Sequence, residues 1–221
     1  MDADQVAALR ALLAPTGWTD RTLSFARALR RSARTPHGLL IIGPTDDEPW
    51  HMTAHLIEES QLAGLPELAP TFVRLAPPAN APAHLSIGVE RLRAATRQET
   101  LLVVSSRNAP DELLERVHDV RRAGATIFAL DQDDPRLDEL AHESLGVRPD
   151  IDPLSFDAAQ HLVSSAVVAD TGRGGHERAG SHRASRSVGR TVSQPGIGQQ
   201  GQSLRGRLAR LLDAVSGTPP D

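Results

Sequence analysis

Residues 100–130 have the sequence TLLVVSSRNAPDELLERVHDVRRAGATIFAL, which contains a complete strand–helix–strand pattern. The apolar runs at 100–104 and 125–130 are short and continuous, as in strands that are buried on both faces of a sheet. The segment between them carries apolar residues at helical spacing and is long enough for a crossover between parallel strands. These residues therefore predict one unit of a parallel sheet that is covered by helices.

The ends of the connecting helix are also marked in the sequence. Pro110 suits a first helical turn, and Asp111 and Glu112 complement the positive end of the helix dipole. Gly124 follows the last periodic residue, where glycine commonly ends a helix. We therefore predict a helix over about 111–123.

The same alternation continues on both sides of this unit. Two more helices are predicted before the first strand, at 4–14 and from a cap at Thr19 or Asp20 to Leu29. The predicted fold is α/β, a three-layer sandwich with a mostly parallel sheet of about four to five strands. The remaining predicted elements are strands at 38–43 and 71–75, and helices at 50–63, 84–96, 135–145 and 155–168.

The composition changes after the last of these helices, so we divide the chain into three parts. Residues 1–169 form the α/β domain, and residues 170–202, rich in glycine, arginine and serine, are predicted to be a disordered linker because they cannot bury enough apolar surface. Residues 203–216 return to helical spacing and predict a short basic amphipathic helix. We expect this helix to dock on its own domain or on a neighbouring subunit, with binding to a membrane surface or to a partner protein as the alternatives.

Composition excludes several classes of function. The 24 basic residues, all arginine, and 28 acidic residues give a net charge of -4, which argues against nucleic acid as a partner. The absence of cysteine excludes disulfides and thiolate metal sites. No stretch approaches the roughly 20 apolar residues of a membrane span, and the chain begins without the pattern of a secretory signal, so we expect a cytoplasmic protein.

The loops that follow the predicted strands are the expected place for a ligand, because parallel α/β sheets bind ligands at the carboxyl ends of their strands. The second of these loops contains Ser105, Ser106, Arg107 and Asn108, whose hydroxyl, guanidinium and amide groups predict a site for a small anion. The alternative is that Ser106 or Asn108 only caps the following helix.

The other two loops are acidic. Asp46, Asp47 and Glu48 follow the first strand, and we expect them to repel a phosphate group. The loop at 131–135 carries three aspartates, and we expect a solvated turn there.

The helix after the first strand contains two histidines one turn apart, His51 and His55, followed by Glu58 and Glu59. Imidazoles at this spacing point to one side of a helix and can bind one divalent metal ion. The pattern lacks the glutamate of zincin proteases, and further ligands are not identifiable from the sequence. We therefore predict no metal or other cofactor, with a two-histidine metal site as the alternative.

Residues 99–145 resemble the second half of a SIS (sugar isomerase) domain. In that family a strand is followed by the motif Ser-x-Ser-Gly-x-Thr, a helix, the motif Ala-x-x-x-Gly-Ala and a second strand. The stretch TLLVVSSRNAPDELLE is similar to the first strand, motif and helix, and RRAGATIFAL is similar to the second motif and strand. Ser105 matches the first serine of the motif. Arg107, Asn108 and Pro110 stand where the family has its second serine, glycine and threonine, so the phosphosugar motif is degenerate.

The resemblance implies a SIS- or flavodoxin-like arrangement and a ligand of sugar-phosphate type. Our leading interpretation is a SIS-like binding or regulatory module for a small anionic ligand, acting as a homodimer. The alternatives are a sugar-phosphate isomerase, in which His161 or Glu59 would move a proton, a metal-dependent hydrolase using His51 and His55, and an interaction protein that acts through its C-terminal helix.

Overall fold

The computed structural model describes residues 16–82, 86–148 and 150–169. The predicted helix at 4–14, the linker at 170–202 and the helix at 203–216 lie outside the described residues. None of the described helices is long and apolar enough to span a membrane.

A five-stranded parallel sheet forms the centre of the domain and confirms the predicted α/β class. The strand order is β2-β1-β3-β4-β5. The central pair is β1 and β3, with Leu40 opposite Leu101, and β4 continues the register, with Ala129 opposite Val103. The strands are β1 (Leu39–Ile42), β2 (Thr71–Phe72), β3 (Thr100–Ser105), β4 (Thr126–Asp131) and β5 (Glu143–Gly146).

Helices cover both faces of the sheet. On one face α1, α2 and α6 pack against Leu39, Ile41 and Leu102. On the other face α3, α4 and α5 pack against Leu40 and Leu101, because successive side chains of a strand point to opposite faces. The helices are α1 (Trp18–Ser32), α2 (Trp50–Ala63), α3 (Glu90–Arg93), α4 (Asp111–Arg122), α5 (Pro135–Leu140) and α6 (Phe156–Ala169), with a short 3-10 helix at Pro66–Leu68.

The predicted helix at 135–145 is wrong in its second half. Helix α5 ends at Leu140, and the chain then forms the edge strand β5 beside β4. Two hydrogen bonds between His142 and Ile127 hold the chain beside β4. The His142 backbone N–H donates to the Ile127 carbonyl, and His142 Nδ1 accepts from the Ile127 N–H. Pairing with a neighbouring strand overrides the local helical pattern here.

The predicted helix at 84–96 is also shorter than expected. Only Glu90–Arg93 is helical in the described part of this segment. Residues just before it run beside the end of β2, where Arg74 N–H donates to the Ile87 carbonyl at 2.9 Å and Gly88 forms a bridge with Arg74. Those backbone groups pair across the chain instead of within a helix.

The start of the first described helix differs from the predicted cap. Gly17 is the N-cap residue of α1, and Trp18 is already its first residue, so neither Thr19 nor Asp20 caps it. The Trp18 side chain is fully buried. The polar contact at the start of this helix comes from Thr16, whose hydroxyl accepts from the Trp18 N–H at 3.3 Å.

Candidate functional site

The strand order creates a switch point between β1 and β3. From β1 the chain passes to α2 on one face of the sheet, and from β3 it passes to α4 on the opposite face. The two loops lie at the carboxyl edge, where the chain turns to opposite faces, and sheets of this order bind ligands at such a point. The β1 loop (43–49) and the β3 loop (105–110) therefore define the candidate site.

The β1 loop is held at both ends. A Cβ on Gly43 would lie 2.7 Å from the Val104 carbonyl oxygen, so this position has room only for glycine. At the other end Arg74 Nε and Nη2 each donate to Glu48 at 2.7 Å, a bidentate pair. Trp50 Nε1 donates to the same carboxylate at 3.0 Å. These contacts fix the loop against β2.

The β3 loop is held by a neighbouring loop. Ser105 is buried, and its hydroxyl donates to the Arg107 carbonyl at 2.6 Å. The Ala109 N–H donates to Asp134 Oδ2 at 2.7 Å, and the Ala109 carbonyl accepts from Arg136 Nη2 at 2.6 Å. Both backbone groups of Ala109 are thus paired with side chains, Asp134 from the loop after β4 and Arg136 from the start of α5.

The two loops of the switch point meet through a carboxylate. The Ser106 backbone N–H donates to Asp47 Oδ2 at 3.0 Å, and the Ser106 hydroxyl donates to the same oxygen. Beside this contact Arg107 and Asp46 form a 3.4 Å ion pair, and their side chains are 70% and 72% exposed. One anionic oxygen therefore receives two donors from the β3 loop, and an exposed guanidinium stands next to it.

The four predicted ligand residues have different places in this geometry. The Ser105 hydroxyl points into the loop, Ser106 faces the β1 loop, and Arg107 and Asn108 are exposed. Neither Ser106 nor Asn108 caps α4, because Pro110 is the N-cap residue and, in the part of the chain that the structure describes, no side chain caps this helix. The capping alternative is therefore wrong.

The expected solvated turn after β4 is wrong for Asp131 and Asp134, which are both buried. Asp131 Oδ1 accepts from the N–H groups of Asp133 and Asp134, whereas its Oδ2 is buried with no hydrogen-bond partner among the described residues. Burial raises the pKa of Asp131 to about 6. A carboxyl group with a raised pKa therefore lies next to the switch point.

Asp134 behaves in the opposite way. Burial acts to raise the pKa of this carboxyl, but hydrogen bonds from the Ala109 and Arg136 backbone N–H groups, together with the Arg136 guanidinium, hold it below its ordinary value. Asp134 also accepts from the Arg136 N–H at the start of α5, at 3.0 Å. It is a structural anchor for two loops.

Three histidines form a second cluster. His51 and His55 lie one turn apart on α2, and His161 comes from α6. Ring centroids are 6.3 Å apart for His51 and His55, 6.4 Å for His51 and His161, and 4.2 Å for His55 and His161. One ligand nitrogen of each ring lies within 4.8 Å of the others. The structure thus supplies a third histidine that sequence spacing alone did not connect with the first two.

Partial burial lowers the pKa of His161, and the neighbouring His55 and His51 lower it further, against the opposing charge of Asp157. Glu59, the other residue predicted to move a proton, is buried on α2 and is not part of the histidine cluster. A proton-transfer role for His161 or Glu59 stays a prediction.

A polar cavity of about 480 Å³ opens elsewhere, at the amino-terminal edge of the strands. It contains two arginines, Arg34 and Arg97, and so is a competing location for an anion. The lining residues are Ser32, Arg34, Thr35, Arg97, Gln98, Glu99 and Thr126.

No protein-family profile and no curated protein sequence matches this chain. Among solved structures, one of a "putative phosphosugar isomerase" from Silicibacter pomeroyi DSS-3 is similar at 17% identity and a TM-score of 0.47, covering 76% of this chain and 48% of that one. A "putative sugar binding protein" from Salmonella typhimurium LT2 is similar at 13% identity and a TM-score of 0.41, covering 91% and 54%. The chain spans about half the length of these proteins. At this identity and TM-score, neither similarity identifies an activity for it.

Proposed function

We propose that this domain binds a small anionic ligand at the β1/β3 switch point, through Ser106, Arg107 and Asn108. The observation that carries the proposal is the contact with Asp47, in which the backbone N–H and the hydroxyl of Ser106 donate to one carboxylate oxygen. Ser105 shapes the loop through its bond to the Arg107 carbonyl.

The Asp47 carboxylate marks where a ligand oxygen would lie. A carboxylate oxygen accepts hydrogen bonds as the oxygens of a phosphate or of another carboxylate do, so donors that suit one suit the others. Among the described residues, the Arg107 guanidinium is held only by a long, exposed ion pair with Asp46, and such pairs contribute little stability. Its guanidinium can therefore turn to a ligand at small energetic cost.

Asp47 also competes with any ligand for Ser106. Even a flexible tether gives a group on the same chain an effective concentration on the order of millimolar, and Asp47 is already held beside Ser106 by the fixed β1 loop. The native chain would therefore bind its ligand weakly, and affinity would respond to whatever moves the β1 loop. This behaviour fits a binding or regulatory module for a ligand of sugar-phosphate type.

The first test is to measure binding of sugar phosphates and nucleotides to the full chain by calorimetry. Asp47→Ala should tighten binding, because the internal competitor and its negative charge are removed. Ser106→Ala should weaken binding about tenfold or more, since hydrogen bonds to charged groups contribute about 1.5–3 kcal/mol. Asp119→Ala, an exposed aspartate on α4 that pairs with Arg116, controls for the change in net charge.

A matched pair of arginines locates the site. Arg107→Ala should weaken binding, and Arg97→Ala should not, although both remove an exposed guanidinium. Loss of binding in Arg97→Ala alone would move the site to the cavity at the amino-terminal edge. Absence of binding to both the native chain and Asp47→Ala would contradict the proposal.

A further inference from the structure

The histidine cluster has the composition of a metal site. Its three imidazoles come from two helices, and one nitrogen of each ring lies within 4.8 Å of the other two. Tetrahedral coordination with metal–nitrogen bonds of about 2.0–2.1 Å puts ligand nitrogens about 3.4 Å apart. Binding an ion would therefore require the three side chains to turn toward one another.

The backbones that carry these side chains are fixed by the core. On α2, Met52 and Leu56 follow His51 and His55 and are fully buried, and on α6 Val163 is fully buried two residues after His161. All three apolar residues belong to the same cluster on one face of the sheet. The two helices therefore fix the backbone positions of the histidines before any ion binds, which favours a preorganised site.

The exposure of the cluster indicates its type. His51 is exposed, while His55 and His161 are partly buried. Three protein ligands and access to solvent leave a fourth position for water or a small ligand, as in catalytic zinc sites, whereas structural sites are closed by four protein ligands.

We propose that His51, His55 and His161 bind one Zn²⁺ or a chemically similar divalent ion, with the fourth position open to solvent. Imidazole ligands suit zinc, copper, nickel and iron and disfavour Mg²⁺ and Ca²⁺, which prefer oxygen. The ion would polarise a water or a small oxygen ligand bound in the fourth position. This proposal uses none of the side chains of the anion site and stands or falls separately from it.

The test is a titration of the metal-free full chain with Zn²⁺, followed by calorimetry, with Co²⁺ absorption as a second readout of tetrahedral geometry. We expect tight binding that each of His51→Ala, His55→Ala and His161→Ala weakens by at least about 100-fold, because even outer-shell changes at metal sites cost about 10–100-fold. His118→Ala is the matched control, since His118 is an exposed histidine on α4, on the opposite face of the sheet.

Several outcomes separate a site from general histidine affinity. Each variant keeps the other histidines of the chain. If Zn²⁺ bound to histidines in general, His118→Ala would weaken binding as much as the three cluster variants do, and that result would overturn the proposal. Absence of binding to the native chain would overturn it as well. Because His51 is exposed, His51→Ala reports loss of a ligand without loss of folding, and circular dichroism checks this. Asp47→Ala should leave Zn²⁺ affinity unchanged, which keeps this result distinct from that of the anion site.

Discussion

The switch point and the histidine cluster are both built from residues near the start of α2, but they differ in how their polar groups are satisfied. At the switch point the donors of Ser106 are already paired with Asp47, and Glu48 is paired with Arg74 and Trp50. In the histidine cluster, one ligand nitrogen of each of the three imidazoles lies within 4.8 Å of the others. A ligand at the switch point must therefore displace Asp47 from Ser106. A metal ion at the histidine cluster would bind without displacing such a contact.

The difference predicts where stability resides. Bonds within the chain contribute to folding in the absence of any ligand, whereas a cluster arranged around an external ion contributes little until the ion binds. Substitutions at the two regions should therefore change the free energy of unfolding by different amounts.

The largest effect is expected for Gly43→Ala at the base of the β1 loop. The added methyl group would lie 2.6 Å from Pro49 Cδ and 2.7 Å from the Val104 carbonyl oxygen. Overpacking of this kind should lower the free energy of unfolding by about 3 kcal/mol, measured by urea denaturation. The control is Gly64→Ala, where nothing lies within 4 Å but φ is 68°, and the left-handed backbone costs about 1–2 kcal/mol. Equal losses in the two variants would contradict a tightly packed switch point.

The next largest effect is expected at Asp131. Of its two carboxylate oxygens, Oδ1 accepts hydrogen bonds, whereas Oδ2 has no partner among the described residues. Its pKa is raised to about 6, so the folded state binds the proton more tightly than the unfolded chain does, and stability should fall as the pH rises from about 4 to 6. Asp131→Asn should remove this dependence. Above pH 7 it should stabilise the protein by about 2 kcal/mol, because each pKa unit is worth 1.36 kcal/mol and burial of the new amide offsets part of the gain.

Thermal or urea unfolding at a series of pH values tests this prediction. Below pH 4 Asp131→Asn should be less stable than the native chain by about 1 kcal/mol, the cost of burying the new amide, because the native carboxyl is then protonated. A difference between them that does not change with pH would show that the pKa of the Asp131 carboxyl is not raised.

The smallest effect is expected in the histidine cluster. Without metal, His51→Ala should change the free energy of unfolding by no more than about 0.5 kcal/mol, because His51 is exposed. Urea denaturation in the presence of a chelator measures it. A loss comparable with that of Gly43→Ala would mean that the histidines serve packing, and would remove the contrast between the two regions.

The sheet itself was predictable from local pattern. Nearly every residue of the strands at 39–42, 100–105 and 126–131 is buried. A short, continuous apolar run in the sequence predicts a strand of this kind. The strand β5 was not predictable in the same way, because Glu143 and Ser144 are exposed and the strand exists through its pairing with β4.

The site was only partly predictable, since it depends on contacts between distant segments. Spacing identified His51 and His55, but the approach of His161 depends on the packing of α2 against α6. The acidic loops were seen as repulsive or solvated, while the structure uses Asp47 and Asp134 as hydrogen-bond acceptors for the β3 loop. Charge alone does not predict these roles. A carboxylate repels an anion, but it also accepts hydrogen bonds from backbone N–H groups that would otherwise be unpaired.

The two outer strands of the sheet limit how copies of this chain can associate. Of the strands that the structure describes, β2 has two residues, and β5 has four, two of them exposed and polar. Edge-to-edge aggregation needs a long, flat row of unpaired backbone groups as its template, and neither margin offers one. Strand addition is therefore disfavoured as a route to self-association, which leaves helix faces and loops as the surfaces through which copies of this protein could meet.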